Sequence, residues 1–185
     1  MLKEILENLK TIKIYHGSNV KFNKIEPKYM LTENSNAQEG VGLYFANNMK
    51  IAQDYGKYVY SADINPNNFW DSREFIDEYV NENQFIKLMN ELFKINEEEI
   101  FYLVTDYGAE IGNPNEVDEF AFRTAWNLMR DEEVRNFTIT LAQTVGVENF
   151  VEIWNKIFSN DGFKNEELGY YVIINPKIKI NLLET

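Results

Sequence analysis

Apolar and polar positions change period twice along this chain. Leu2 to Leu9 mixes apolar and charged residues at helical spacing and predicts a short helix. Thr11 to Tyr15, TIKIY, alternates at every second position and is β-rich, so it predicts a first strand ending at His16-Gly17-Ser18. Lys21 to Pro27 reads as loop, and Lys28 to Glu39 as a polar, irregular, mobile flap. The apolar run Leu43-Tyr44-Phe45-Ala46 predicts a buried strand end, and Asn47-Asn48 breaks it. Met49 to Tyr55 then has helical spacing through Ile51, Ala52 and Tyr55. Lys57 to Ile64, KYVYSADI, alternates again as a strand closed by Asn65-Pro66-Asn67-Asn68.

From Asp71 to Phe158 the period is helical. Phe85, Leu88, Met89 and Leu92 form one stripe, and Ile100, Leu103, Val104 and Tyr107 form a second, with Gly108 as its C-terminal cap. Val117, Phe120, Ala121, Thr124 and Leu128 make a third, and Val147, Phe150, Val151 and Trp154 another. Four or five acidic amphipathic helices follow. Two short β-rich runs, Gly169 to Asn175 and Lys177 to Leu182, close the chain on either side of Pro176. With strands at both ends and helices between, the last strands must pair with the first. The fold class is α+β with high contact order, not a row of βαβ units.

Composition narrows the chemistry. At 185 residues, 44% hydrophobic and 15% aromatic, the chain can bury the core of one domain. Without cysteine it has no disulfide, thiolate metal site or thiol nucleophile, and any histidine chemistry falls to His16, the single histidine. The charged amphipathic start is unlike a signal peptide and no apolar run reaches membrane-spanning length, so a soluble, cytoplasmic protein is expected, without a membrane partner. The net charge of −12 disfavours a nucleic-acid partner, although Lys13, Lys21, Lys24 and Lys28 cluster near the N-terminus. The acids concentrate between Asp71 and Glu133.

The candidate site lies in the stretch Gln38 to Gly56. Gly40 and Gly42 permit a tight turn or close approach to a ligand, and Tyr44 and Tyr55 can face each other across a slot one aromatic ring wide. Upstream, His16-Gly17 sets an imidazole beside closely approachable main chain at a strand end. Taken singly, each of these residues also has a plain packing explanation.

Tyr15-His16-Gly17-Ser18, then Gly42-Leu43-Tyr44-Phe45-Ala46, then Tyr55 eleven residues after Tyr44, resembles the ADP-ribosyltransferase superfamily of the diphtheria-toxin and poly(ADP-ribose) polymerase class. The chain is most similar to the transferase-like domains of polyvalent proteins from phages and mobile elements. Its last strand, Tyr171 to Asn175 before Pro176, matches the family's closing element. The resemblance covers roughly residues 12 to 64 and 158 to 182. It implies one domain over residues 1–185, with a split antiparallel sheet and a large acidic helical insertion at about 71–158. It implies NAD as co-substrate and no metal.

In that family pattern His16 hydrogen-bonds a ribose hydroxyl, and the Gly17 main chain pairs with the nicotinamide carboxamide. Tyr44 and Tyr55 sandwich the pyridinium ring, while Ser18 and Phe45 belong to the same NAD-binding elements. Holding ring and ribose as their bond stretches favours an oxocarbenium-like transition state.

Two positions depart from the pattern. The family's usual glutamate before the last strand is matched by Tyr170, with Glu166 and Glu167 nearby as substitutes if their loop folds back. Ala52 stands where polymerase-like members often carry serine. The expected function is therefore mono-ADP-ribosylation of a protein target, one with a basic surface. An inactive interaction module and an NAD glycohydrolase are the alternatives.

Overall fold

The structure, a computed structural model, describes residues 11–30 and 38–183. The helix expected over Leu2 to Leu9, and the part of the expected flap at 31–37, lie outside the described residues.

Seven strands form one mixed sheet: β1 (Ile12–Ser18), β2 (Leu43–Ala46), β3 (Tyr58–Ile64), β4 (Phe69–Asp71), β5 (Gly162–Asn165), β6 (Tyr170–Ile173) and β7 (Asn181–Leu183). Their order is β4-β5-β6-β2-β1-β3-β7, so strands from the two ends of the sequence interleave, as the α+β reading requires. The β4–β5 pair is parallel and the other pairs are antiparallel, so the sheet is mixed and not purely antiparallel. β1 pairs with β3 over its whole length, and β2 with β6 over four residue pairs, Leu43↔Ile173 to Ala46↔Tyr170. Between β1 and β2 the register holds one pair, Tyr15↔Ala46. Two half-sheets thus meet at a single point.

The helices are α1 (Met49–Tyr55), α2 (Glu82–Phe93), α3 (Glu97–Asp106), α4 (Glu119–Met129), α5 (Val134–Val145) and α6 (Val147–Ile157). Asparagine and aspartate side chains cap several of them: Asn48, Asn81, Asn96 and Asp118 accept from free N–H groups of the first turn. Gly108, at φ +84°, ends α3 as expected.

Five helices fill the interval between β4 and β5, and they share one buried core with the sheet. Trp154 of α6 carries much of that junction. It is fully buried, and its ring meets Trp70 of β4 at 5.4 Å and Phe163 of β5 at 5.7 Å. Among the described residues no helix is long and apolar enough to cross a membrane.

Two expectations need correction. In α4 the buried stripe is Ala121, Phe122, Ala125, Trp126 and Met129, while Phe120 and Leu128 face solvent at 77% and 58% exposure. The helix carries two apolar stripes, and the one bearing Trp126 wins because its ring packs 5.0 Å from Phe85. The last strand is also shorter than Lys177 to Leu182, beginning only at Asn181, after a turn.

Candidate functional site: a cleft where two strands part

β1 and β2 separate because each is drawn to a different neighbour. At Gly17 an added Cβ would lie 1.7 Å from the Ala52 carbonyl oxygen, so β1 presses directly against α1. At Gly42 it would lie 2.6 Å from the Ile173 carbonyl oxygen, so the chain entering β2 presses against β6. Past Tyr15 the β1 edge facing β2 has no strand pair. A cavity of about 480 Å³ opens in that gap, within the roughly 300–1,000 Å³ usual for small-molecule sites.

Eight residues singled out in the sequence line this one cavity: His16, Gly17, Ser18, Tyr44, Phe45, Ala52, Tyr55 and Tyr170. The pairings Tyr15↔Ala46, Ala46↔Tyr170 and Tyr44↔Val172 set Tyr44, Tyr170 and, by alternation, Gly17 on one face of the sheet. His16 and Phe45 belong to the other face, their rings 5.3 Å apart. The gap between the half-sheets opens both sets to the same space.

His16 bridges the gap. Its Nδ1 lies 2.6 Å from the Tyr44 carbonyl oxygen. A carbonyl only accepts, so Nδ1 carries the hydrogen and a neutral ring keeps Nε2 as an acceptor. Burial, partly offset by that hydrogen bond, lowers the pKa of His16 below its ordinary 6.5. The unfolded chain takes up this proton near pH 6.5 and the folded protein only below it, so the contribution to stability is full above that pH and fades as pH falls through the folded value. Thermal melts of wild type and His16→Phe at pH 7.5 and pH 5 therefore show the wild type losing ground to the variant at the lower pH.

The tyrosines hold distinct positions. Tyr44 donates its hydroxyl to the Gly40 carbonyl (2.8 Å) and accepts from the Glu39 N–H (3.0 Å). Its hydroxyl thus fastens the turn ahead of β2, and its ring forms a wall. Burial raises its pKa well above the ordinary 10. Tyr170 is raised as well, first by burial and then by the neighbouring Tyr55. Tyr55 is 65% exposed and stands at the rim. All three rings reach the cavity, and both shifted hydroxyls stay protonated at neutral pH.

Glu166 and Glu167 are not brought into the cleft. They occupy the exposed turn joining β5 to β6, where Glu166 pairs with Lys164 at 2.8 Å. Their loop does not fold back because the Asn165 side chain and Gly169, at φ +73°, close it as a tight turn. A different acidic residue borders the site, with its N–H on the Tyr44 hydroxyl and its carboxylate buried behind that wall. Glu39 lines the cavity, yet its side chain is 3% exposed. Its oxygens accept from Ser72 Oγ (2.5 Å), Asn165 Nδ2 (3.1 Å) and Arg73 Nη2 (3.3 Å). Nothing in its spacing marks it, since Gln38-Glu39-Gly40 reads as polar loop. Its burial also corrects the reading of Lys28 to Glu39 as a mobile flap at the C-terminal end of that segment.

No family model matches the chain, and no curated protein matches it in sequence. One solved structure, described as "Crystal structure of an anti-CRISPR protein", is similar at a TM-score of 0.37 and 11% identity, over 95% of this chain and 98% of that one. That likeness is too distant to argue from.

Proposed function

We propose that this chain is an NAD-dependent mono-ADP-ribosyltransferase with a split sheet of the ADP-ribosyltransferase type, acting on a protein side chain. One observation carries the reading: His16, Gly17, Tyr44, Tyr55 and Tyr170, named from scattered motifs, line one cavity at the point where the half-sheets part. The residues suit NAD. His16 Nε2 can accept from a ribose hydroxyl, and the unpaired edge of β1 near Gly17 can meet a carboxamide, which needs one donor and one acceptor. Three tyrosine rings supply faces for a cationic heterocycle.

NAD brings a glycosidic bond whose electron pair leaves with the ring nitrogen, neutralising the pyridinium; the acceptor heteroatom bonds to the ribose carbon and loses its proton. The protein holds ring and ribose in fixed relation and excludes water from one side. With an uncharged tyrosine at 170, the acceptor must bring its own nucleophilicity, which favours single ADP-ribose units. A net charge of −12 favours a protein acceptor with a basic surface. A second reading, an inactive module without turnover, gains support from the uncharged Tyr170 lining the cavity beside Tyr55.

Calorimetry with NAD, followed by chromatographic measurement of released nicotinamide with and without candidate proteins, tests the reading. Binding with nicotinamide release and ADP-ribose on protein is the expected result. Release without any modified protein selects a glycohydrolase, and binding without release selects the module. Absence of binding at millimolar NAD removes the transferase and the glycohydrolase and selects an interaction module that does not bind NAD. Glu166→Gln and Glu167→Gln are expected to keep turnover within about twofold, the scale of solvated surface groups.

A further inference from the structure

The described residues include one carboxylate that is buried, belongs to a residue bordering the cleft and has no part in the chemistry above. Glu39 is fixed by three side-chain donors from two other segments, Ser72 and Arg73 after β4 and Asn165 in β5. Its own N–H donates to the Tyr44 hydroxyl, so the carboxylate and a cleft wall move as a unit.

Its counter-charge is shared. Arg73, the one cation that pairs with it among the described residues, is half exposed and also feels Glu133 and Glu167. Arg73 pairs with Glu39 and Arg135 with Glu133, and Glu167 adds a further acidic group within reach of Arg73. Of these charges Glu39 is the buried one, where screening by water is smallest. Burial first, and the Glu39 charge last, raise Tyr44 and Tyr170, so the phenols around the cavity add no competing charge at neutral pH.

We propose that the buried Glu39 carboxylate makes this cleft selective for a cationic aromatic ring, so that it takes the oxidised, pyridinium form of a nicotinamide dinucleotide and discriminates against the reduced, neutral form. The inference rests on the reading that the cleft binds NAD. It also gives product release a cause. When the bond between the ribose carbon and the ring nitrogen breaks, its electron pair stays on nitrogen, the ring becomes neutral nicotinamide, and the attraction that held it is gone. Glu39 is here a positioning and specificity residue, acting through space and through Tyr44.

The test compares NAD and NADH, which carry the same phosphates, so that all other charge effects cancel. Glu39→Gln keeps the hydrogen bonds, because the amide oxygen still accepts from Arg73 and Asn165 while its nitrogen donates to a rotated Ser72 hydroxyl. By calorimetry the wild type prefers NAD, and Glu39→Gln loses about tenfold of that preference, the order for unit charges roughly 10 Å apart at an effective dielectric near 20. Arg73→Gln, a half-exposed change that removes a compensating cation, shifts the preference the other way and answers the question even if Glu39→Gln folds poorly. An unchanged NAD to NADH ratio in both variants overturns the role of Glu39 and leaves NAD binding standing. A wild type that binds neither dinucleotide overturns both.

Discussion

Gly17→Ala lowers the stability of this protein by about 3 kcal/mol or more, the upper part of the range for overpacking, and lowers Tm by roughly 10 °C for a domain of this size. The position is not special in backbone conformation, since Gly17 is absent from the glycines with positive φ. It is special in space. The added methyl would sit 1.7 Å from the Ala52 carbonyl oxygen and 2.8 Å from its carbon. Both are backbone atoms of α1, so no side chain can swing away to relieve the clash.

The strand and helix must separate instead, and β1 runs in register with β3 along its whole length, so the helix is the partner that gives. Gly56, just after α1, has the same requirement, with Ser18 carbonyl carbon 2.2 Å from its Cβ position. Gly17 therefore answers to packing before it answers to any ligand. The measurement is thermal and urea unfolding of the variant without ligand. A variant as stable as wild type that has lost NAD binding would return Gly17 to a purely ligand-facing role.

The same residue illustrates how much was legible. A glycine after a strand-end histidine declares that something comes close, but the sequence does not say whether helix or ligand. Helical stripes were readable wherever one apolar face stood alone, as in Phe85, Leu88, Met89 and Leu92, all buried. They misled in α4, where Phe120 and Leu128 compete with Phe122 and Trp126 and only tertiary packing chooses. α5 offered little signal because RNFTITLAQTV is rich in β-branched residues, and burial of Val134, Phe137, Leu141 and Val145 overrides that preference. The cleft residues from His16 to Tyr170 were legible as motif positions. Glu39 was not, because its meaning comes from Ser72, Arg73 and Asn165, distant in sequence and brought together by the β4–β5 parallel pair and the turn before β2.

If the cleft cleaves NAD as proposed, His16→Phe is expected to reduce nicotinamide release about 100-fold, the scale expected when a reacting group loses its positioning contact. The ring lies among Phe22, Phe45 and Tyr60 at centroid distances of 5.7, 5.3 and 6.2 Å, so a phenyl ring preserves the packing that alanine would lose. What disappears is polar. Nδ1–H no longer ties β1 to the Tyr44 carbonyl across the gap, and Nε2 no longer offers an acceptor to the cavity. The lowered pKa keeps that acceptor free of a proton at neutral pH, so the loss is of a hydrogen-bond acceptor and not of a charge. NAD affinity falls by about tenfold, near the value of one hydrogen bond, while turnover falls further because the ribose is no longer held against the ring. His16→Gln, whose amide can both donate and accept, recovers part of the turnover. Single-turnover kinetics on the three proteins separate binding from cleavage. Equal turnover in wild type and His16→Phe would remove His16 from the site and leave its imidazole as a bridge between half-sheets.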